Sequence, residues 1–401
     1  MNSKTKIISI ILFFLAFIIS ISCEQKQEKV EKIMEDGVEV VLNHVEPYKI
    51  PGEPRTLTLE EEFTIDTEND EIAELGLTEI WAVNVDSEMN IYLWNTPLTK
   101  GDLIFKFDGS GNFLTSFLKR GQGPGEVQSP TFPIITEKDD FIATDYFPRK
   151  LVFLSLKGEL VREIPFKSQI EAAYALENGN YFVVESRQTP DGSYRENLMT
   201  LYNPELEEIK QLRSREDVNE RVAARIKGTL KQGNFILWAI AKGKIYIGDN
   251  DKEDYEISVY DYEGNLVRKI RKEYTPVEVT EDFRKKILSE YERLPTEELR
   301  AIGKKVYFPK YMPPYRCIFC DDKGRLFVMT FEKGKSAGEY MYDVFDADSR
   351  YVDRVGVGNY GIWDRPIVNQ FVVIAKKDLL YCLRENERGY KELVVYKMNW
   401  K

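Results

Sequence analysis

The sequence predicts an all-β protein, a six-bladed β-propeller with four antiparallel strands in each blade. The first observation is a recurring hairpin pattern, in which an apolar strand end, a polar turn and a second alternating strand follow one another. The second is composition, because 23 tyrosines and an aromatic fraction of 12% favour strands. The third is spacing, since equivalent turn positions lie 47, 48, 58, 85 and 51 residues apart, close to the period of propeller blades. These positions are Asp108, Ser155, Asn203, Asp261, Asp346 and Lys397.

A second hairpin lies just upstream of the first one in each repeat, and two hairpins in series make a four-stranded antiparallel blade. The last repeat, at 394–400, stops before its outer strand. Segment 55–66 alternates apolar and polar residues, so we expect this N-terminal strand to close the last blade and cover its open edge. A β-sandwich or two separate β domains is the alternative. The upstream hairpins are clearest at 81–95, 174–186, 237–249 and 316–330.

The two longest spacings predict small helical insertions, one after blade 3 and one after blade 4. In 217–230 apolar residues recur every four positions, which is helical periodicity. Segment 280–305 has the same pattern until Pro295 interrupts it, so a second short helix should follow there.

The N-terminus has the pattern of a targeting segment. Two lysines precede an apolar run of roughly 15 residues, too short for a settled membrane span, which ends at "SISC". This predicts a lipoprotein signal peptide over 1–22 and lipidation of Cys23, with an ordinary secretory signal or an uncleaved anchor as the alternatives. Residues 23–52 are charged and should form a flexible tether, which leaves 53–401 for the propeller. We therefore expect a lipid-anchored protein of the cell envelope, at the outer membrane, facing the periplasm or the surface.

Charge and histidine content exclude several classes of function. A net charge of -11 repels phosphate backbones, so nucleic acid is not an expected partner. The single histidine, His44, lies in the predicted tether. The propeller therefore cannot contain a Ser-His-Asp triad or a site of several histidine ligands.

The order of strands within a blade predicts where a ligand would bind. In a blade of strands A to D, the D–A and B–C connections emerge on one face, here called the top face, where propeller ligands usually bind at the channel mouth. The side chains there are polar and of mixed charge, which would suit a peptide, a glycan or a small polar ligand. We also expect the protein to be a monomer. The candidate ligand-binding residues are Arg120, Glu126, Asn95, Asp145, Tyr146, Arg149 and Arg187.

The glycine-rich stretch "LKRGQGPGEVQSPTF" at 118–132 resembles a phosphate-binding loop only superficially. It lacks the lysine and helix of a Walker loop, and its glycine spacing is not that of a dinucleotide-binding turn. We expect a D–A crossover on the top face. Arg120 and Glu126 are either ligand contacts or a structural pair.

Three cysteines lie in predicted strands. Cys317 and Cys320 are three residues apart, so their side chains should point to opposite faces of one strand. A disulfide from either to Cys382 is conceivable in an oxidising envelope. Buried free thiols are the favoured expectation.

The lipoprotein-like signal, the six blades and "KRGQGPGE" leading into "SPTF" together resemble the six-bladed β-propeller lipoproteins of Bacteroidota, which are similar in architecture to NHL-repeat propellers. The resemblance covers nearly the whole mature chain. It implies a propeller located in the envelope, and it carries no catalytic residues over to this sequence.

Two classes of function remain at this point. The first is a non-catalytic binding or scaffolding module for an envelope protein, a peptide, a glycan or a small polar ligand. The alternative is a gluconolactonase-like or lyase-like propeller enzyme, which holds one divalent metal such as calcium at the channel mouth and needs no histidine. The candidate metal ligands are Asp145, Asp249, Asn250 and Glu332.

Overall fold

The predicted fold is confirmed: six sheets form six blades, and each blade contains four antiparallel strands. The computed structural model describes residues 30–48, 57–189, 194–218, 230–231, 236–249, 254–293, 295–303, 306–335, 339–358, 371–386 and 388–401. The predicted signal peptide, Cys23 and Asn250 lie outside these residues.

Three strands precede the first complete blade: β1 (Glu31–Glu35), β2 (Val38–Asn43) and β3 (Leu57–Asp66). Blades 1 to 3 then follow in chain order, and within each of them consecutive strands pair with one another. Blade 1 is β4 (Ile80–Val85), β5 (Ile91–Asn95), β6 (Ile104–Phe107) and β7 (Phe113–Phe117). Blade 2 is β8 (Ile134–Ile135), β9 (Phe141–Tyr146), β10 (Arg149–Leu154) and β11 (Leu160–Pro165). Blade 3 is β12 (Gln169–Ala175), β13 (Tyr181–Gln188), β14 (Tyr194–Tyr202) and β15 (Glu208–Val218).

The remaining strands build blades 4 to 6 and one short parallel pair. The pair joins β16 (Leu230–Lys231) to β21 (Val306–Tyr307). Blade 4 contains β17 (Ile236–Ala241), β18 (Lys244–Asp249), β19 (Glu256–Asp261) and β20 (Leu266–Lys272). Blade 5 is β22 (Cys317–Cys320), β23 (Leu326–Lys333), β24 (Glu339–Phe345) and β25 (Tyr351–Gly358). Blade 6 contains β26 (Val373–Lys376), β27 (Leu379–Glu385) and β28 (Lys391–Trp400).

The N-terminal strand closes the last blade, as the alternation of 55–66 predicts. Strand β3 pairs antiparallel with β28 along its whole length, from Leu57 opposite Trp400 to Asp66 opposite Glu392. The side chain of Phe63 also reaches the β6–β7 turn of blade 1, where Gly111 has a φ of +86° and no Cβ that would collide with the ring. The two ends of the chain therefore join blade 6 to blade 1.

The expected flexible tether is wrong for residues 31–43, which form a β-hairpin on the outer edge of blade 4. Strand β2 pairs in parallel with β20, and Val40 and Val41 are fully buried against that blade. The guanidinium of Arg271 donates two hydrogen bonds, of 2.6 and 2.7 Å, to Glu35, and these bonds hold the pKa of Glu35 below its usual value. Apolar burial and bidentate ion pairing thus order a segment whose composition resembles a linker.

Three helices are described, and two of them form the predicted insertion after blade 4. They are α1 (Asp70–Glu74), α2 (Glu281–Glu292) and α3 (Glu297–Gly303). The predicted helix at 217–230 lies largely outside the described residues, and its first two positions, Asp217 and Val218, are instead the last residues of strand β15. No described helix has the length and apolar content needed to cross a membrane.

The axis of the ring is occupied by aromatic side chains. Phe132 of blade 2 stacks on Phe371 of blade 6 with ring centroids 4.6 Å apart, and Trp238 of blade 4 contacts the same Phe371 edge-on at 6.5 Å. Blades 2, 4 and 6 are not neighbours, so these contacts can form only across the centre. Aromatic packing therefore links blades 2, 4 and 6 across the centre of the ring.

Candidate functional site

The hydrogen bonds of blade 2 confirm that D–A connections and the ends of B strands share the top face. The backbone N–H of Tyr146, at the end of β9, donates to Ser129 O at 2.9 Å, and the N–H of Thr131 donates to Thr144 O at 3.0 Å. The D–A connection from blade 1 thus pairs with the end of a B strand before it enters β8.

The glycine-rich loop is held by bonds within itself and to the outer strand of blade 2. Arg120 Nη2 donates to Gln128 O at 3.1 Å, and Glu126 accepts from the N–H of Gly123 at 2.8 Å. The N–H of Gly125 donates to Glu163 of β11 at 2.9 Å. The structure does not pair Arg120 with Glu126, and each of these predicted ligand residues has a partner in the loop.

Asn95 and Asp145 lie at B-strand ends, as predicted, but they are buried and bind backbone. Asn95 is fully buried, and its Oδ1 accepts from the N–H groups of Thr78, Glu79 and Thr96 at 2.9 to 3.3 Å. Asp145, which is 2% exposed, accepts from the N–H groups of Gln128 and Ser129 at 2.8 and 2.7 Å. Both side chains fix the incoming connection of their blade.

Arg149 and Arg187 have different surroundings. Arg149 donates to Lys167 O at 2.8 Å and so holds the connection from blade 2 to blade 3. Arg187 donates at 2.9 Å to Glu185, a fully buried carboxylate that also accepts from the hydroxyls of Tyr202, at 2.6 Å, and Ser168. The guanidinium of Arg187 is 44% exposed, so its remaining donors can reach solvent.

Tyr146 belongs to a cluster that crosses the boundary between blades 2 and 3. We name Tyr146, Glu171, Ser186 and Arg195 the top-face cluster. Arg195 donates to Glu171 at 2.6 Å and to the hydroxyl of Ser186 at 2.8 Å. Burial raises the pKa of Tyr146, and the negative charge of Glu171 adds to that shift. Glu171 starts an A strand, Ser186 ends a B strand and Arg195 starts a C strand, so all three lie at the top.

A second ion pair at the top joins blade 3 to blade 4. Arg213 of β15 donates to Asp249, the last residue of β18. The side chains of Arg195 and Arg213 are 42% and 36% exposed. Blade 3 therefore presents three partly exposed guanidinium groups: Arg187, Arg195 and Arg213.

Glu171, Arg195 and Arg213 are not among the residues predicted from the sequence. The candidates were taken from the predicted loops and strand ends, whereas these three residues lie within strands β12, β14 and β15. A signal was present in "QLRSREDV" at 211–218, where arginines alternate along an outer strand and so project from one side. Arg195 has no comparable pattern in the sequence, because its partners lie on other strands. Glu171 is 24 residues away along the chain, and Ser186 is 9 residues away.

The three described candidates for the metal site of the alternative hypothesis, Asp145, Asp249 and Glu332, each have other partners. Asp145 binds backbone N–H groups, Asp249 pairs with Arg213, and Glu332 pairs with Arg354 at 2.8 Å. Within the described ranges no three Asp, Glu, His or Cys side chains lie close enough together to hold a metal ion. These three residues therefore belong to separate local networks.

The cysteines agree with the favoured expectation. Within the described part of the chain, Cys317, Cys320 and Cys382 are not joined by a disulfide. Cys317 and Cys382 are fully buried in the apolar core shared by blades 1, 5 and 6.

Comparison with known proteins supports this fold. Residues 74–238 match the model of the family DUF5128, described as a 6-bladed beta-propeller. No curated protein matches the chain.

Solved structures also match over most of their length. A member of the DUF4221 family from Bacteroides vulgatus is 12% identical with a TM-score of 0.53, covering 87% of this chain and 99% of that one. A protein described as exported from Bacteroides fragilis is 11% identical with a TM-score of 0.50, covering 90% and 99%. A gluconolactonase from Xanthomonas campestris has a TM-score of 0.40 at 9% identity, covering 87% of this chain and 99% of that one. The chain is a six-bladed β-propeller of the kind found in Bacteroides proteins, similar to DUF5128 over residues 74–238.

Proposed function

We propose that the protein is an exported, envelope-anchored binding module that recognises an anionic group of a polar ligand, a peptide, a glycan or a small molecule, on its top face. The observation that carries the proposal is the set of partly exposed arginines on blade 3. Arg213 pairs with Asp249 of blade 4, and Arg195 interacts with Tyr146 of blade 2. A guanidinium has five donors, and each of these arginines uses only some of them on its carboxylate partner. Donors therefore remain for a carboxylate, sulfate or phosphate of a ligand.

The packing of the site supports recognition rather than chemistry. The arginines are fixed by carboxylates and hydroxyls on rigid strands, an arrangement that reduces the conformational entropy lost on binding. Aromatic side chains fill the centre of the ring. The export part of the proposal rests on the lipoprotein-like signal and on the likeness to the Bacteroides fragilis protein described as exported.

Replacing Arg195 with alanine should weaken ligand binding by about 10- to 100-fold, because a charge-assisted hydrogen bond is lost. Binding of the purified propeller to arrays of acidic peptides and charged oligosaccharides measures this effect. The matched control is Arg388→Ala, which removes a 78% exposed arginine from the B–C connection of blade 6 on the same face. Equal losses for both variants would indicate only general charge attraction and would contradict the proposal.

A further inference from the structure

The N-terminal arm, residues 30–48, is bound along the outer edge of blade 4. Strand β2 runs parallel to β20, from Glu39 opposite Arg268 to Asn43 opposite Lys272. Arg268 Nε also donates to Glu39 at 2.6 Å, and the side chain of this arginine is only 19% exposed. Backbone pairing and a partly buried ion pair therefore fix the same stretch of the arm.

The end of the arm is held by blade 5. Tyr351 N–H donates to Asn43 Oδ1 at 2.8 Å, and Asn43 Nδ2 donates to Ser349 O at 3.1 Å. Further along, Tyr48 N–H donates to Tyr351 O at 2.7 Å. Asn43 and Tyr48 are both buried, so these bonds lie away from solvent. Contacts with two blades thus hold the arm between residues 39 and 48.

The start of the arm marks the point at which the chain first joins the propeller. Glu31 of β1 lies opposite Leu42 of β2, which in turn lies opposite Arg271 near the end of β20. The chain therefore meets the propeller beside the connection from blade 4 to blade 5. Val45 of the arm and Pro313 of that connection line one cavity, so the two segments are adjacent.

This point of attachment determines how far the propeller can lie from an anchor at Cys23. Glu31 follows Cys23 by eight residues, which corresponds to at most about 28 Å of extended chain. Without the docked arm the first fixed residue would be Leu57 of β3, and the 34 residues from Cys23 could span about 120 Å. Docking therefore shortens the maximum reach of the tether about fourfold.

The shortened tether is small compared with the propeller. A compact domain of this size has a radius of gyration of about 20 Å, which corresponds to a breadth of about 50 Å. Every part of the propeller then stays within about 80 Å of the anchor, whereas a free arm would allow about 170 Å. Blade 4 carries the arm, and blade 1 lies opposite blade 4 in the ring of six.

We propose that the docked arm is a spacer that holds the propeller next to the membrane, with the outer edge of blade 4 nearest the bilayer, and that the partner is a component of the same membrane. This inference rests on the envelope anchoring of the proposed function. It adds a short fixed distance and a defined near side, neither of which follows from an anchor alone.

The test uses the purified lipoprotein reconstituted into phosphatidylcholine vesicles that contain an acceptor-labelled lipid. A fluorescent amino acid replaces Tyr311, which is 40% exposed on the connection from blade 4 to blade 5, or Leu114 of blade 1, which is 50% exposed. We expect stronger energy transfer to the lipid from position 311 than from position 114. Equal transfer from both positions would overturn the assignment of blade 4 as the near side.

A pair of insertions tests the spacer itself. About twenty glycine and serine residues inserted after Gln27 should roughly double the mean distance between anchor and arm, so energy transfer from position 311 should fall. The same insertion after Gly52, between the arm and β3, is the matched control. It should leave the transfer unchanged, because the docked arm still fixes the propeller. An equal fall for both insertions, or no fall for either, would overturn the proposal.

Releasing the arm should abolish the difference between the two insertions. Val41 is fully buried against blade 4, and Val41→Asp places a charge there while the blade keeps its own four strands. In this variant we expect the insertion after Gly52 to lower the transfer as well. If the variant does not fold, hydrogen exchange of the vesicle-bound unmodified protein decides: residues 39–43 should be protected, and exchange at the rate of an unfolded chain would overturn the proposal.

The outcomes separate this inference from the proposed function. If Cys23 is not acylated and the protein leaves the vesicles, both the anchoring and the spacer are overturned, whereas ligand binding on the top face, tested with Arg195→Ala, is not affected. If the protein stays on the vesicles and the two insertions act alike, only the spacer is wrong.

Discussion

Replacing Ile65 with lysine should lower the free energy of unfolding by about 3–5 kcal/mol, because it removes a core side chain and buries an unpaired charge. Ile65 is 3% exposed in strand β3 and lies opposite Leu393 of β28. It packs in the apolar core that joins blades 5, 6 and 1. The substitution therefore disrupts the joint that closes the ring.

Thermal unfolding followed by circular dichroism measures this loss, which should amount to roughly 10 °C. Glu62→Lys is the matched control, because Glu62 is exposed in the same strand and the same residue type is introduced. A surface change of this kind is expected to stay within about 0.5 kcal/mol. If both variants had the same melting temperature as the unmodified protein, β3 could not be the strand that closes blade 6.

Replacing Asp145 with alanine should lower the free energy of unfolding by about 3 kcal/mol without changing ligand affinity, because backbone N–H groups lose their acceptor. Besides Gln128 and Ser129, the N–H of Phe147 donates to this carboxylate at 3.3 Å. Hydrogen exchange of residues 118–131 should accelerate together with the fall in melting temperature.

The control for Asp145 is Asp140→Ala. Asp140 is exposed and lies in the turn directly before β9, at the opposite face of blade 2. We expect little change in its stability. The opposite pattern for Asp145→Ala, an unchanged melting temperature with lost binding, would make Asp145 a ligand residue and contradict its structural role.

The sequence predicts the architecture well because a blade is defined by local features. Each hairpin has its own polar turn and alternating strands, so the six repeats and the closing strand can be identified without knowing any distant contact. The N-terminal hairpin had a signal of the same kind. Asp36 and Gly37 have φ values of 52° and 82°, as a two-residue hairpin turn requires, and "VEVVLN" follows them. The charged composition of the segment concealed that signal.

The candidate site is harder to predict because side-chain partners depend on the packing of separate blades. Asn95 and Asp145 were correctly placed at strand ends, yet sequence alone could not show that backbone N–H groups occupy their oxygens. Arg195 was not identified, because its role depends on Glu171 and Ser186 being adjacent to it in the folded blade.

The most direct test of the binding proposal is photo-cross-linking in the cell from position 146 on the top face, compared with position 157 in the exposed turn on the opposite face. A photoreactive phenylalanine analogue at position 146 closely matches the tyrosine that it replaces. At position 157 it replaces an exposed lysine, and among the described residues the side chain of Lys157 makes no contact that would be lost. Mass spectrometry identifies the adducts. We predict adducts from position 146 that disappear when Arg195 is also replaced by alanine, and no comparable adduct from position 157. Adducts from position 157 alone, or adducts from 146 that persist without Arg195, would contradict recognition at the top face.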